Sequence, residues 1–152
     1  MTVRVQTEAF DAGALLSRFS AGRTGSGAVV SFTGIARDVT GGAAVATLEL
    51  DAYPGFTEPA IEAMETEARA RFEMQDVLIV HRHGPIQPGE AIVFVATAAE
   101  HRRAAFEAAD YLMDRLKTEA PFWKKETGPD GERWIEPREP DYQDAKRWNR
   151  TS

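Results

Sequence analysis

The chain contains no cysteine, which excludes disulfides, thiolate metal sites and any cysteine nucleophile or persulfide of its own. Such a composition is compatible with a reducing cytoplasm, and a cytoplasmic location is expected. Long apolar runs are also missing. None approaches the ~20 residues that a membrane span needs, and the N-terminal MTVRVQTEAFDAGALL lacks the charged-then-apolar layout of a secretory signal. No membrane role is expected. A basic excess is the third absence: 18 Lys and Arg face 24 Asp and Glu, for a formal net charge of −6. The electrostatic attraction that supplies most nucleic-acid affinity is therefore lacking, and any anionic ligand must be caught by a local cluster of basic residues. Histidine is scarce as well, with only His81, His83 and His101. His81 and His83 sit two apart on one expected strand, but neither cysteine nor more than one further histidine exists to complete a metal site. No metal is expected.

What is present suits one domain over residues 1–152, with 43% hydrophobic residues to build a core. Val3 and Val5 alternate with polar neighbours as a short strand, and Leu15, Leu16 and Phe19 suit one side of a helix ending before Gly22. Ala28 to Thr33 reads as a buried strand stopping at Gly34, followed by Arg37 and a turn at Gly41-Gly42. Val45 to Tyr53 is a further strand, and Pro54-Gly55 turns it into a helix with Pro59 in its first turn. Val77 to His83 and Ala91 to Thr97 are two more strands, joined by the loop from Gly84 to Gly89. His101, Arg102 and Arg103 open a helix whose apolar side is Ala105, Ala109, Leu112, Met113 and Leu116. Turns too short for parallel crossovers predict an α+β domain with a largely antiparallel sheet.

The densest chemistry lies in RLKTEAPFWKKETGPDGERWIEPR, from Arg115 to Arg138. Pro121 cannot continue a helix and pushes Ala120 toward an extended conformation, so a helix carrying Lys117 in its last turn ends there. In the strand that follows, Phe122 and Lys124 face one way and Trp123 and Lys125 the other. Gly128-Pro129-Asp130-Gly131 then returns the chain as a second strand from Glu132 to Glu136. Lys117 and Lys124 are thereby able to meet. Taken singly, a lysine at a helix C-terminus commonly just complements the macrodipole, and Trp123 and Trp134 suit core or interface packing. At the other end of the same helix, unpaired backbone N–H groups beside His101 and Arg102 offer a phosphate seat.

LKTEAPFWKKE followed by GERWIEP resembles the signature of the large, catalytic subunit of molybdopterin synthase. SFTGIARD, LELDAYPGFTEPAIEAM and HRHGPIQPGE resemble further blocks of that family, in family order, so that the likeness runs from about Gly27 to Trp148. The resemblance implies an α/β-hammerhead-like fold and a homodimer within a heterotetramer, each half binding one small ubiquitin-like sulfur-carrier subunit. It implies a sulfurtransferase of molybdenum cofactor biosynthesis that needs no cofactor or metal in this subunit. Sulfur arrives as a thiocarboxylate on the carrier's C-terminal glycine, and two deliveries convert cyclic pyranopterin monophosphate to molybdopterin. On this reading Lys117 and Lys124 sit nearest the reacting carbons. A lysine among other cations has a lowered pKa and serves as general acid and base. Arg37, His101, Arg102 and Arg138 hold the anionic precursor, with Phe32 and Lys125 also in the pocket. Arg138 reaches the active site of the neighbouring subunit, and Glu126 either orients a lysine or contacts substrate. The alternative is a non-catalytic scaffold that binds a ubiquitin-like partner through the Phe122-Trp123 surface; an anion-binding regulator is a weaker third.

Overall fold

Two four-stranded sheets divide the chain in the computed structural model, which describes residues 2–40, 42–135 and 139–149. The first sheet has the order β1 (Val3–Gln6), β6 (Asp76–Arg82), β8 (Ala91–Ala99), β2 (Ala28–Ile35), with β1 parallel to β6 and the other pairs antiparallel. Its two central strands read as near-continuous apolar runs because both faces are covered, and strand alternation sorts their side chains between two cores. Val77, Ile79, Val93 and Val95 join Ile61, Met64 and Ala68 of α2 (Thr57–Arg71) and Leu112 and Leu116 of α3 (Arg102–Glu119). Leu78, Val80, Phe94, Ala96 and Ala98 join Leu15 and Phe19 of α1 (Ala12–Ser20). Ile61, Ile79, Phe94 and Leu112 are completely buried, each contributing roughly 1.5–3 kcal/mol. By the same parity His81 faces the α2/α3 side of β6. Arg82 faces the α1 side, where its guanidinium donates to the Thr7 and Pro85 carbonyls.

The second sheet is wholly antiparallel, in the order β10 (Gly131–Ile135), β9 (Phe122–Gly128), β5 (Thr47–Ala52), β7 (Gly84–Ile86). The expected α+β fold with largely antiparallel pairing is what forms. Element boundaries differ in places. Gly84 to Ile86, expected as a loop, pairs as β7 with β5, because Ile86 buries completely beside Leu48 and Leu50. Pro85 is tolerated there because β7 is an edge strand. Strand β2 continues past Gly34 to Ile35 through an irregularity in the ladder, and β8 runs on to Ala99. At the expected glycine turn, β3 (Val39–Thr40) and β4 (Ala43–Ala44) make a minimal hairpin. Strand β5 starts later than expected, since the Val45 N–H donates to Asp38 and the Ala46 N–H to Thr127. The return strand β10 starts at Gly131, whose φ of 102° suits glycine. Gly128 is demanded by space: a Cβ there would run into the Ala44 carbonyl.

All five apolar residues expected on one side of α3 are buried, but so is Asp114. Its carboxylate accepts from Trp148 Nε1 at 2.6 Å and Arg147 Nη2 at 2.7 Å, while Trp148 meets Phe72 and Tyr111 edge-on. This fastens α4 (Glu139–Lys146) and the following 3-10 turn (Arg147–Asn149) to the helical layer. No helix among the described residues is long and apolar enough to cross a membrane.

Candidate active site

The site is built at the joint between α3 and β9. Pro121 ends the helix after Glu119, Ala120 is extended, and the Phe122 N–H returns to the Ala120 carbonyl at 2.9 Å. Phe122 then stacks on the His81 ring, with centroids 4.2 Å apart and planes 22° from parallel, which pins the start of β9 to β6. His81 is buried and its Nδ1 donates to the Arg82 carbonyl at 2.8 Å. Burial first, and then the charges of Lys117 and His83, push its pKa down to about 4, so the ring is neutral near pH 7. Lys117 lies exposed in the last turn of α3, close enough for its charge to be felt at His81. Lys124 follows Phe122 by two residues on the same face of β9, half-buried and opposite Leu50. The two lysines thus flank one aromatic joint from two different elements, as the helix stop and the strand alternation predict.

Arg37 belongs to the same end of the molecule. Ala36 is buried beside Leu48, Leu50 and Ile86, and its backbone is held by Glu90 O at 3.0 Å and Gly89 N at 2.8 Å. Arg37, next in sequence, is exposed and makes no ion pair among the described residues. Pairing of Ile35 with Ala91 and of Ala28 with Ala99 sets Arg37 near the start of β8. Helix α3 begins just past the end of β8 and packs back along the sheet, so Lys117 returns to that same start. His101 and Arg102 therefore lie at the opposite end. Fifteen residues of helix at 1.5 Å each separate Arg102 from Lys117, a distance of about 22 Å. His101 is exposed, with its Nε2 3.6 Å from the Glu100 carboxylate. Within one chain the expected phosphate seat and the expected catalytic lysines are not brought together.

The remaining expected residues divide. Phe32 stands on the outer edge strand β2, 42% exposed. Lys125 faces away from Lys124, between Glu49 at 3.7 Å and Glu132 at 3.8 Å, with Nζ 5.5 Å from the Trp134 ring centre. Glu126 is buried on the lysine face, but both carboxylate oxygens are engaged, accepting from Thr40 Oγ1 at 2.8 Å and Arg133 Nη2 at 3.2 Å. It ties β9 to β3 and β10. Arg138 lies outside the described residues. Trp123 and Trp134, for which core packing was one expectation, are 55% and 59% exposed and so are not core. Sequence reasoning weighed His81 only as a metal ligand, although its parity with Val77 and Ile79 in β6 assigns it inward. It passed over Arg133 too, although the turn at Gly128 to Gly131 sets Arg133 opposite Glu126.

A mixed α+β fold with lysines brought from a helix end and a hairpin strand to one aromatic joint defines a small α+β domain with a cationic joint. Comparison with known proteins makes this particular. The chain belongs to the MoaE protein family, whose pattern it matches over residues 5–119. It is 59% identical over 149 residues to the molybdopterin synthase catalytic subunit of Caulobacter vibrioides, covering 98% of each chain. Among solved structures it resembles the molybdopterin biosynthesis MoaE protein of Burkholderia ambifaria, with a TM-score of 0.82, 47% identity and 99% of each chain covered. It also resembles the molybdopterin synthase of Staphylococcus aureus, with a TM-score of 0.80 and 31% identity over 89% of this chain and 97% of that one.

Proposed function

We propose that this protein is the catalytic subunit of a molybdopterin synthase. It takes sulfur from the C-terminal thiocarboxylate of a small ubiquitin-like carrier and transfers it to cyclic pyranopterin monophosphate, building the dithiolene of molybdopterin. What supports the reading is that Lys117 acts electrostatically on His81 while Lys124 follows Phe122, whose ring stacks on that histidine, in a chain related over nearly its full length to proteins named for that activity. With no thiol in the chain, the sulfur must be brought in by another molecule. The carrier supplies it. Lys117 and Lys124 move protons while the sulfur attacks the pterin side chain, and Arg37 holds the anionic precursor beside them. The work is done in the cytoplasm, by one domain spanning residues 1–152. The interaction-scaffold alternative is not retained, because the relatives are named as catalytic subunits.

His101 and Arg102 enter the site from a second copy, as a homodimer allows. Three features support this. The phosphate seat is about 22 Å from Lys117 along a rigid helix. The edge strand β2, AVVSFTGI, carries neither charge nor proline over its eight residues, so nothing in it opposes pairing with another strand. Antiparallel pairing of two β2 strands about a two-fold axis sets the Ala28 end of one copy beside the Ile35 end of the other. That carries His101 and Arg102 of the second copy toward Arg37 and Lys117 of the first, and Phe32 of both copies to the shared edge. Arg138 is assigned to the same crossing.

The test is a single-turnover reaction of thiocarboxylated carrier with precursor. Formation of dithiolene product supports the enzyme; carrier binding without product supports the scaffold. Mixing Lys117→Ala with Arg102→Ala chains then tests the shared site. Half of randomly formed dimers hold one intact site of two, so about a quarter of the wild-type rate returns. No recovery on mixing places both groups within one chain.

A further inference from the structure

Arg37 is held by its backbone. Its side chain is exposed, with neither an ion pair nor a hydrogen bond among the described residues. The residues on either side of it are fixed instead. The Ala36 N–H donates to the Glu90 carbonyl at 3.0 Å, the Ala36 carbonyl accepts from the Gly89 N–H at 2.8 Å, and the Asp38 carbonyl accepts from the Val45 N–H at 2.7 Å. Where the Arg37 guanidinium can reach is therefore set in good part by where the turn at Gly89 and Glu90 stands.

That turn has little packing of its own. No residue from Gln87 to Glu90 is buried, and a cleft of about 380 Å³ opens on its α1 side, between Phe10, Thr33, Ile35 and Glu90. The turn closes on itself through two bonds, from the Glu90 N–H to the Gln87 carbonyl at 3.0 Å and from the Gln87 N–H to Glu90 Oε1 at 2.7 Å. Arg82 ties the closed turn to the sheet. Its buried guanidinium reaches three segments at once: Nε and Nη2 donate to the Thr7 carbonyl, just past β1, at 3.3 and 3.2 Å; Nη2 also donates to the Pro85 carbonyl of β7 at 3.4 Å; and Nη1 lies 3.4 Å from Glu90 Oε1.

Nη1 is the only buried side-chain nitrogen or oxygen among the described residues that lacks a hydrogen bond. An arginine does not give up its proton, so a charge this deeply buried has to be answered by another charge. Glu90 supplies it, and the ion pair draws the turn toward the sheet. A planar fork with donors in fixed directions is also the side chain that grips several backbone segments in one orientation. Strand alternation thus gives the end of β6 two duties, with His81 behind the lysine joint on one face and Arg82 behind Arg37 on the other. We propose that Arg82 is a positioning residue for Arg37: by pairing with Glu90 it fixes the turn from Gln87 to Glu90, and the turn, through the N–H and the carbonyl of Ala36, aims Arg37 at the precursor. A long side chain aimed in advance loses less freedom when it captures an anion. This rests on the functional reading above, in which Arg37 holds the precursor, and adds the device that pre-organises it.

The experiment measures precursor affinity of the full chain by titration calorimetry, with urea unfolding of each variant alongside. Glu90→Gln removes the charge that Arg82 pairs with but keeps an amide oxygen for the Gln87 N–H, so the turn still closes; it raises the precursor Kd by about tenfold. Arg82→Met fills similar space without donors and raises Kd at least as much, and Glu90→Gln carries the test by itself where the buried substitution disturbs folding. The deciding arm is the cycle with Arg37→Ala. In that background Glu90→Gln changes Kd by less than about twofold, because the guanidinium it would have misplaced is gone. A merely structural role lowers stability in both backgrounds and produces no such coupling. Unchanged Kd in Glu90→Gln, or an equal loss with and without Arg37, overturns the positioning role and leaves the functional reading standing. Wild-type affinity in Arg37→Ala overturns the assignment of Arg37 in that reading, and this inference with it.

Discussion

Lys124 and Lys125 are neighbours of identical chemistry placed in opposite surroundings. The face of β9 that carries Lys124 begins with Phe122 stacked on a buried neutral histidine and ends with a buried carboxylate held by two donors. The face that carries Lys125 is aromatic, with two exposed tryptophans, and its ion pairs are partly exposed. The difference lies in what surrounds each charge. On the inner face close packing and fixed hydrogen bonds hold a group in one position, which suits proton transfer. On the outer face water screens the same charge, and flat apolar rings dominate, which suits reversible contact with another protein.

The comparison breaks most visibly at Lys117. Lys117→Ala lowers the single-turnover rate by about 10²- to 10⁴-fold with folding and carrier affinity retained. Lys117→Arg keeps the charge but is too basic to give up its proton, so precursor binds and turnover stays lost. Full activity in the arginine variant removes proton transfer from this side chain.

A second effect concerns His81, behind the inner face. Its folded pKa of about 4 lies below the ordinary value of 6.5, so between these two pH values the unfolded chain binds a proton that the folded chain does not. The stabilisation is complete above pH 6.5 and is lost as pH falls toward 4, by about 3 kcal/mol in all. Urea unfolding from pH 4 to pH 8 reads this slope, and His81→Phe, which keeps a ring against Phe122, flattens it. An unchanged slope would place the titrating group elsewhere.

The buried end of the inner face is probed by Arg133→Ala, which leaves the Glu126 carboxylate without its ion-pair partner. Because the Arg133 side chain is 44% exposed, the loss is about 1–2 kcal/mol, below that of a fully buried pair. Thermal unfolding measures it. Smallest of all is Lys125→Ala on the outer face, with less than about 1 kcal/mol in stability and a fall in turnover far short of that for Lys124→Ala. Equal losses of turnover in the two lysine variants would erase the distinction between the faces.

Much of this arrangement is legible in the sequence because it depends on local chemistry. Pro121 stops α3, Gly128 to Gly131 turns the hairpin, and period-two alternation separates Lys124 from Lys125. The apolar spacing of Ala105, Ala109, Leu112, Met113 and Leu116 gives the buried side of α3. What escaped depends on contacts distant in sequence. Gly84-Pro85-Ile86 carries turn residues, and only the burial of Ile86 against Leu48 and Leu50 makes it a strand. The ladder of β3 and β4 is too short to show any period. The gap between His101 and Lys117 is computable from helix rise alone, but which end faces Arg37 is decided by the antiparallel return of α3 along the sheet. The exposure of Trp123 and Trp134 follows from the absence of a covering helix among the described residues, which no residue in the hairpin encodes.

Helix α3 also acts as a ruler. Its backbone hydrogen bonds fix the spacing between Arg102 and Lys117 at about 22 Å, with Leu112 and Leu116 seated in the core and Asp114 bolted to the C-terminal turn. A rod so held changes its length under no load that leaves the fold intact. In a paired molecule that shares its sites, each rod has one end in each of them, and the helix rise alone then sets the spacing between the two sites.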